Sequence, residues 1–372
     1  VFDLFVGVSN DAVNFLQSAI GAKVAKFRTV LIIASFGVVL GAIMSSGMMD
    51  IARHGLISPD HFTFEEVMTL FLAVMVTDVI VLDVFNTFGM PTSTTVSLVF
   101  ELLGGAFILA TLKMIGDDSL NYGVLLNSDK ALEVIMGIFS SVIIAFVFGI
   151  IVMWLSRVVF TFNYRKHSRY SIAIFGGISF TVLSYFIFMK GLGKSPYLPS
   201  EWHDFIDQNI GTLLCATFVI SAIVMEFLHL CRINIFKLTV LMGTFALAMA
   251  FAGNDMVNFI GVPLAGLSSY NDYMANANGA APDSFMMTSL MESAKTTPAY
   301  LLAAGFVMII AMATSKKAQN VIKTSVDLSR QDEGDEMFGS SSAARIIVRS
   351  CQSADSWLSR FLPKSLKLWI NK

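Results

Sequence analysis

The chain has 372 residues and a net charge of −2, with 55% of its residues hydrophobic and only 14% charged; a soluble domain carries roughly 45–50% apolar and about 25% charged residues. A mean hydropathy of +0.70 excludes an ordinary soluble domain, and the near-neutral balance supplies no general field for nucleic acid. The cysteines, Cys215, Cys231 and Cys351, are odd in number and lack C-x-x-C spacing, so they read as neither a disulfide framework nor a zinc site.

A bilayer core about 30 Å thick needs about 20 mostly apolar residues per helix. Runs of that length are predicted at residues 1–22, 29–49, 67–88, 92–112, 131–156, 171–190, 209–231, 238–267 and 298–315, which makes the chain an all-α polytopic membrane protein. The first run starts inside apolar sequence without a charged flank, so the expectation is of a longer parent chain. This run holds Asn10-Asp11-Ala12-Val13-Asn14-Phe15, with Gly7 and Ser9 weakening regular helix where the polar residues cluster. Lys23, Lys26 and Arg28 follow it. Together with Arg157, Arg165, Lys166 and Arg169, with Arg232 and Lys237, and with Lys316, Lys317 and Lys323, they mark the cytoplasmic side by the positive-inside rule. All four clusters share that side only if the stretch 67–112 enters and leaves on one face.

That stretch is interrupted at Gly89-Met90-Pro91, as a re-entrant helical hairpin would be. Its tip reads Pro91-Thr92-Ser93-Thr94-Thr95. Proline is tolerated at a helix start, and the first-turn amides behind it point outward with the positive dipole end. The hydroxyls of Thr92, Ser93, Thr94 and Thr95 complete a cradle for a tetrahedral oxyanion. On the preceding arm Asp83 is a further candidate cation ligand. Asp78 and Asn86 share that arm, where a hairpin neck also carries such residues to pair with other helices.

The motif recurs in the run 238–267 as Asn254-Asp255-Met256-Val257-Asn258-Phe259, beside Gly253, Gly261 and Pro263. Under the topology above, the two copies run in opposite directions across the membrane, so the chain is expected to hold inverted-topology repeats with broken helices. Carboxylates at membrane depth are expensive and functional by default. Asp11, Asn14, Asp255 and Asn258 form an oxygen-rich set for Na⁺ or H⁺, with Asn10 and Asn254 beside the anion. A cation set beside an anion cradle points to coupled symport, since each charge favours the other's binding in low dielectric. The organisation expected is a first repeat at 1–112, connecting helices at 113–237, the start of a second repeat at 238–315, and a cytoplasmic linker at 316–372. The linker ends in an amphipathic interfacial segment around Trp357–Trp369.

On these motifs the sequence resembles the PiT family of inorganic phosphate transporters, whose signature is a G-A-N-D-V-A-N-A type motif in each half and P-V-S-T-T-H at each re-entrant tip. Here the first motif reads Gly7-Val8-Ser9-Asn10-Asp11-Ala12-Val13-Asn14, the second Ala252-Gly253-Asn254-Asp255-Met256-Val257-Asn258, and the tip Pro91-Thr92-Ser93-Thr94-Thr95. The resemblance covers most of the chain in order and spacing. It implies symport of inorganic phosphate with Na⁺ or H⁺, with Ser93, Thr94 and Thr95 on phosphate and the Asn and Asp residues of both motifs at the cation and substrate centre. Val96 stands where many members have His. Asp3 matches an acidic residue that some members carry before the first motif. No second P-x-S-T-T occurs before Lys372, so a fragment lacking the partner hairpin is expected.

Sulfate or another tetrahedral oxyanion is the rival cargo. A membrane-embedded metal-dependent hydrolase using Asp11 and Asp255 is the rival from another class, disfavoured because neither residue has His or further carboxylates beside it. No nucleotide-binding loop, cofactor motif or catalytic motif occurs. The other expectations are a lipid-embedded protein in a bacterial inner membrane and a homodimer.

Overall fold

The computed structural model describes residues 1–44, 58–116, 120–160, 164–185, 187, 200–291, 297–329 and a few positions between 342 and 353. The interfacial segment expected near the C-terminus lies outside the described residues. One compact unit runs from Val1 to Leu328, and a second covers Ser329–Lys372.

The first unit is helical throughout its long elements: α1 (Phe2–Asp11), α2 (Val13–Gly21), α3 (Phe27–Met44), α4 (Phe64–Thr87), α5 (Thr94–Gly116), the short α6 (Tyr122–Leu125), α7 (Ser128–Phe160), α8 (Tyr164–Ser184), α9 (Ser200–Leu230), α10 (Ile235–Asn254), α11 (Met256–Asn276), α12 (Pro298–Thr314) and α13 (Lys316–Leu328). Six of the described helices, counting α10 and α11 as one, are long and apolar enough to cross a membrane. A seventh joins them if α12 and α13, bent by 69° at their junction, form one span.

Local chemistry sets the ends. Thr63 and Glu66 form a capping box at the start of α4, and Asn234 caps α10 by accepting from the Lys237 amide at 3.2 Å. Ser315 ends α12 and caps α13, accepting from the Ala318 amide at 3.2 Å. In the expected linker, therefore, Lys316–Leu328 is a helix packed on α1, α2 and α4. Its Ala318, Val321 and Ile322, at helical spacing, bury one apolar stripe. Lys317, expected to open a cytoplasmic tail, pairs with Asp83 at 2.6 Å.

Close approach replaces a hydrophobic driving force where helices meet in lipid. α3 lies against α10 through Gly37 and Gly41, where an added Cβ would strike the backbone carbonyls of Phe245 and Met249. One core gathers Phe15, Leu16, Met256, Phe259, Met308 and Met312 from α2, α11 and α12; another lies between α4, α5 and α11 around Val67, Leu102 and Val262. α7, by contrast, buries none of its residues.

Loops gather at the two ends of the unit. At one, Ala22 and Val24 border a cavity with Arg157 and Lys237, so three basic clusters meet there. At the other, the Ser58 amide donates to Leu125 carbonyl at 3.1 Å and the Phe64 amide to Phe285 carbonyl at 2.8 Å. The hairpin leaves where it enters, because Lys113 near the end of α5 pairs with Glu66 near the start of α4 at 2.7 Å.

Candidate functional site

The site is built on the α4–α5 tip. α4 ends in a Schellman turn, with Gly89 left-handed at φ 65, its amide bonded to Asn86 carbonyl at 3.1 Å and the Met90 amide to Phe85 carbonyl at 2.9 Å. A side chain at Gly89 would also press its Cβ to 3.0 Å from Thr324 Oγ1 of α13. Residues 91–93 are irregular, and α5 begins at Thr94. The expectation that Pro91 opens the helix is thereby corrected by three residues. The reason is that the Thr92 amide is drawn to Asn10 Oδ1 at 2.8 Å, while Ser93 caps α5 by accepting from the Val96 amide at 3.3 Å.

Asn10, fully buried, spends its amide on this tip. Its Nδ2 donates to Asn86 Oδ1 at 2.8 Å and to Met90 carbonyl at 3.1 Å, and Asn86 Nδ2 donates in turn to Val6 carbonyl at 2.7 Å. Asn86 is thus a positioning residue of the tip. Next to this clamp, the Thr94 hydroxyl donates to Asp11 Oδ2 at 2.6 Å, both groups being buried.

The second motif approaches the same tip. Asn258 Nδ2 donates to Thr95 Oγ1 at 2.7 Å, which leaves the Thr95 proton free to point elsewhere. Each motif interrupts its helix by a single residue with helical dihedrals, Ala12 in one and Asp255 in the other. The expected helix breaks are therefore slight. The two stretches cross antiparallel: Gly7 lies against the Phe259 ring, and the rings of Phe15 and Phe251 are 5.3 Å apart.

Asp11, Asn14, Pro91, Thr92, Ser93, Thr94, Thr95 and Asp255 line one cavity of about 450 Å³. No Lys, Arg or His stands among these lining residues. Two carboxylates therefore face a shared space without a protein cation, an arrangement that repels itself in low dielectric until a cation enters. On the other wall stand the hydroxyls of Ser93 and Thr95 and the amides of Thr94 and Thr95, which the helix itself does not use. Asn254 and Asp83 are not among the residues that line this cavity. Asn254, the last residue of α10, is exposed, and Asp83 is half-exposed and paired with Lys317. Glu101, a further carboxyl on this hairpin, was not expected from the sequence, where its signal is a single acidic residue within an apolar run.

A bundle of membrane-length helices that closes around a polar, two-carboxylate cavity at a hairpin tip defines a membrane transporter of small ions. The chain belongs to the phosphate transporter family, which matches it over residues 7–325. Both motifs and the hairpin fall in that range, and membership removes the hydrolase alternative. Among solved structures the chain is similar to one described as the sodium-dependent phosphate transporter, at 17% identity and a TM-score of 0.56, covering 89% of this chain and 88% of that one; the likeness is one of fold. No curated protein matches the chain.

Proposed function

We propose that the chain imports inorganic phosphate by cation symport, binding phosphate against Thr92, Ser93, Thr94 and Thr95 and the coupling ion at Asp11, Asn14, Asp255 and Asn258. The observation that carries this reading is the single cavity joining the hydroxyl-rich tip to both motif aspartates. Na⁺ is the coupling ion in this reading: the donors are all oxygens, which suit a hard cation, and the similar solved structure is described as sodium-dependent. Asn10 supports the tip from behind, and Asp83 serves as the partner of Lys317. The two motif regions are inverted repeats with phosphate between them, and the antiparallel crossing of Gly7 with Phe259 and Phe15 with Phe251 supports that relation. The α4–α5 hairpin is re-entrant in this scheme, the membrane is a bacterial inner membrane, and a second copy or lipid covers the bare face of α7.

The test is radiolabelled phosphate uptake into proteoliposomes under an imposed Na⁺ gradient, then under a pH gradient, with sulfate as competitor. Uptake that needs the Na⁺ gradient, ignores sulfate and vanishes in Asp11→Asn or Asp255→Asn is the expected result. Gradient-independent equilibration, or equal competition by sulfate, would overturn it.

A further inference from the structure

The phosphate site leaves three carboxyls unused. Asp3 on α1, Asp78 on α4 and Glu101 on α5 meet where these helices pack together. Asp3 and Asp78 are 3% and 2% exposed. Their carboxyls lie within hydrogen-bonding reach of one another, and Asp78 also reaches Ser97 and Glu101. Donors are scarce in this cluster. The Ser97 hydroxyl has one proton, and it goes to Glu101 Oε1 at 2.8 Å. Asp3 Oδ1, Asp78 Oδ1 and Glu101 Oε2 are buried without any donor.

Ionised carboxylates only accept hydrogen bonds, whereas a protonated one gains an O–H to give. Facing carboxylates without donors therefore stay unsatisfied until a proton joins them. A metal ion is the other remedy, but among the described residues no three His, Cys, Asp or Glu side chains are placed to hold one.

We propose that Asp3, Asp78 and Glu101 form a proton-binding site, separate from the phosphate cavity, which holds an exchangeable proton between Asp3 and Asp78 and passes it through Glu101. Access favours Glu101 as the exchange point. It is only partly buried and borders a cavity of about 450 Å³ together with Thr77, Ser97 and Gly104. The charged groups that act on the cluster are its own members and Asp11, on which the charge of Asp78 acts. Glu66 and Lys113, on the same hairpin, pair with one another, and Asp83 pairs with Lys317. A proton arriving at Asp78 thus removes a negative charge from the neighbourhood of Asp11 and of the cavity behind it. An anion in that cavity and a proton on the cluster then favour each other's binding.

The experiment is infrared spectroscopy of the full chain in lipid, without phosphate, at a pH where exposed carboxyls are ionised. The expected result is a carboxylic acid C=O stretch that shifts in D₂O, persists in the Asp11→Asn/Asp255→Asn double variant, and is lost in Asp78→Asn and diminished in Glu101→Gln. Because no transport is read, the outcome is independent of the phosphate assignment. Absence of the band from the wild-type protein would overturn the proposal, as would a band that Na⁺ abolishes at constant pH. Should Asp78→Asn fail to fold, the partly exposed Glu101→Gln decides, and an unchanged band in that folded variant also overturns it.

Discussion

At Asn10 three hydrogen bonds converge on the hairpin tip, so truncating this amide reaches further than removing any single hydroxyl from the cavity. With a net worth of about 1 kcal/mol per bond, Asn10→Ala is expected to cost about 3 kcal/mol. Thermal unfolding in detergent checks this, and Asn10→Asp should fall between, since it keeps the acceptor for Thr92 and loses both donors. Thr94 poses a different question. A hydrogen bond to a charged group is worth about 1.5–3 kcal/mol, so Thr94→Val should cut phosphate uptake roughly tenfold to a hundredfold at low phosphate, with Thr94→Ser restoring most of it. Uptake at that level by the valine variant would remove the Thr94–Asp11 bond from the mechanism. Asn10, Asp11 and the tip threonines were legible in the sequence because polar side chains stand out in apolar runs. Their pairing was not, because Asn10 and Thr92 are brought together across some eighty residues by packing that no local pattern encodes. Glu101 stayed hidden for the opposite reason, having no repeat to mark it.

The long apolar helices follow from span length, and each predicted run through 315 has its helical counterpart. α13 escaped because polar composition outweighed a stripe of only Ala318, Val321 and Ile322, a signal too short to separate from chance. The motif helices were expected to be broken, but Ala12 and Asp255 keep helical dihedrals. Glycines mark the junctions that do matter. Gly89→Ala places an L side chain in the left-handed region, at a cost of roughly 1–2 kcal/mol, with Thr324 Oγ1 close by. Gly41→Ala forces α3 off the Met249 carbonyl of α10, and overpacking of this kind costs about 1–3 kcal/mol. Both variants should unfold at lower temperature in detergent. Of the two, Gly89→Ala should also impair uptake, because it acts on the tip.

For the whole molecule, the grouping of basic loops at one end and of the 58–64, 121–126 and 282–287 segments at the other gives a testable sidedness. With Cys215, Cys231 and Cys351 replaced by serine, single cysteines at Lys26 and Arg232 should react with an impermeant reagent from one side of the membrane. Cysteines at Asn127 and Ser284 should react from the other. Labelling of Lys26→Cys and Ser284→Cys from the same side would invert the relation between the two motif regions. The crossing of those regions has a mechanical consequence. Gly7 seats against Phe259 and Phe15 against Phe251, on either side of Asp11 and Asp255, so the helices mesh like gear teeth. A slip of one residue along either helix would swing its aspartate by about 100°, unmeshing the teeth and emptying the space between the carboxylates. Tilting about the crossing point keeps both aspartates in register, so whatever opens this cavity to one side or the other must turn the pair as a pivot and leave its thread unturned.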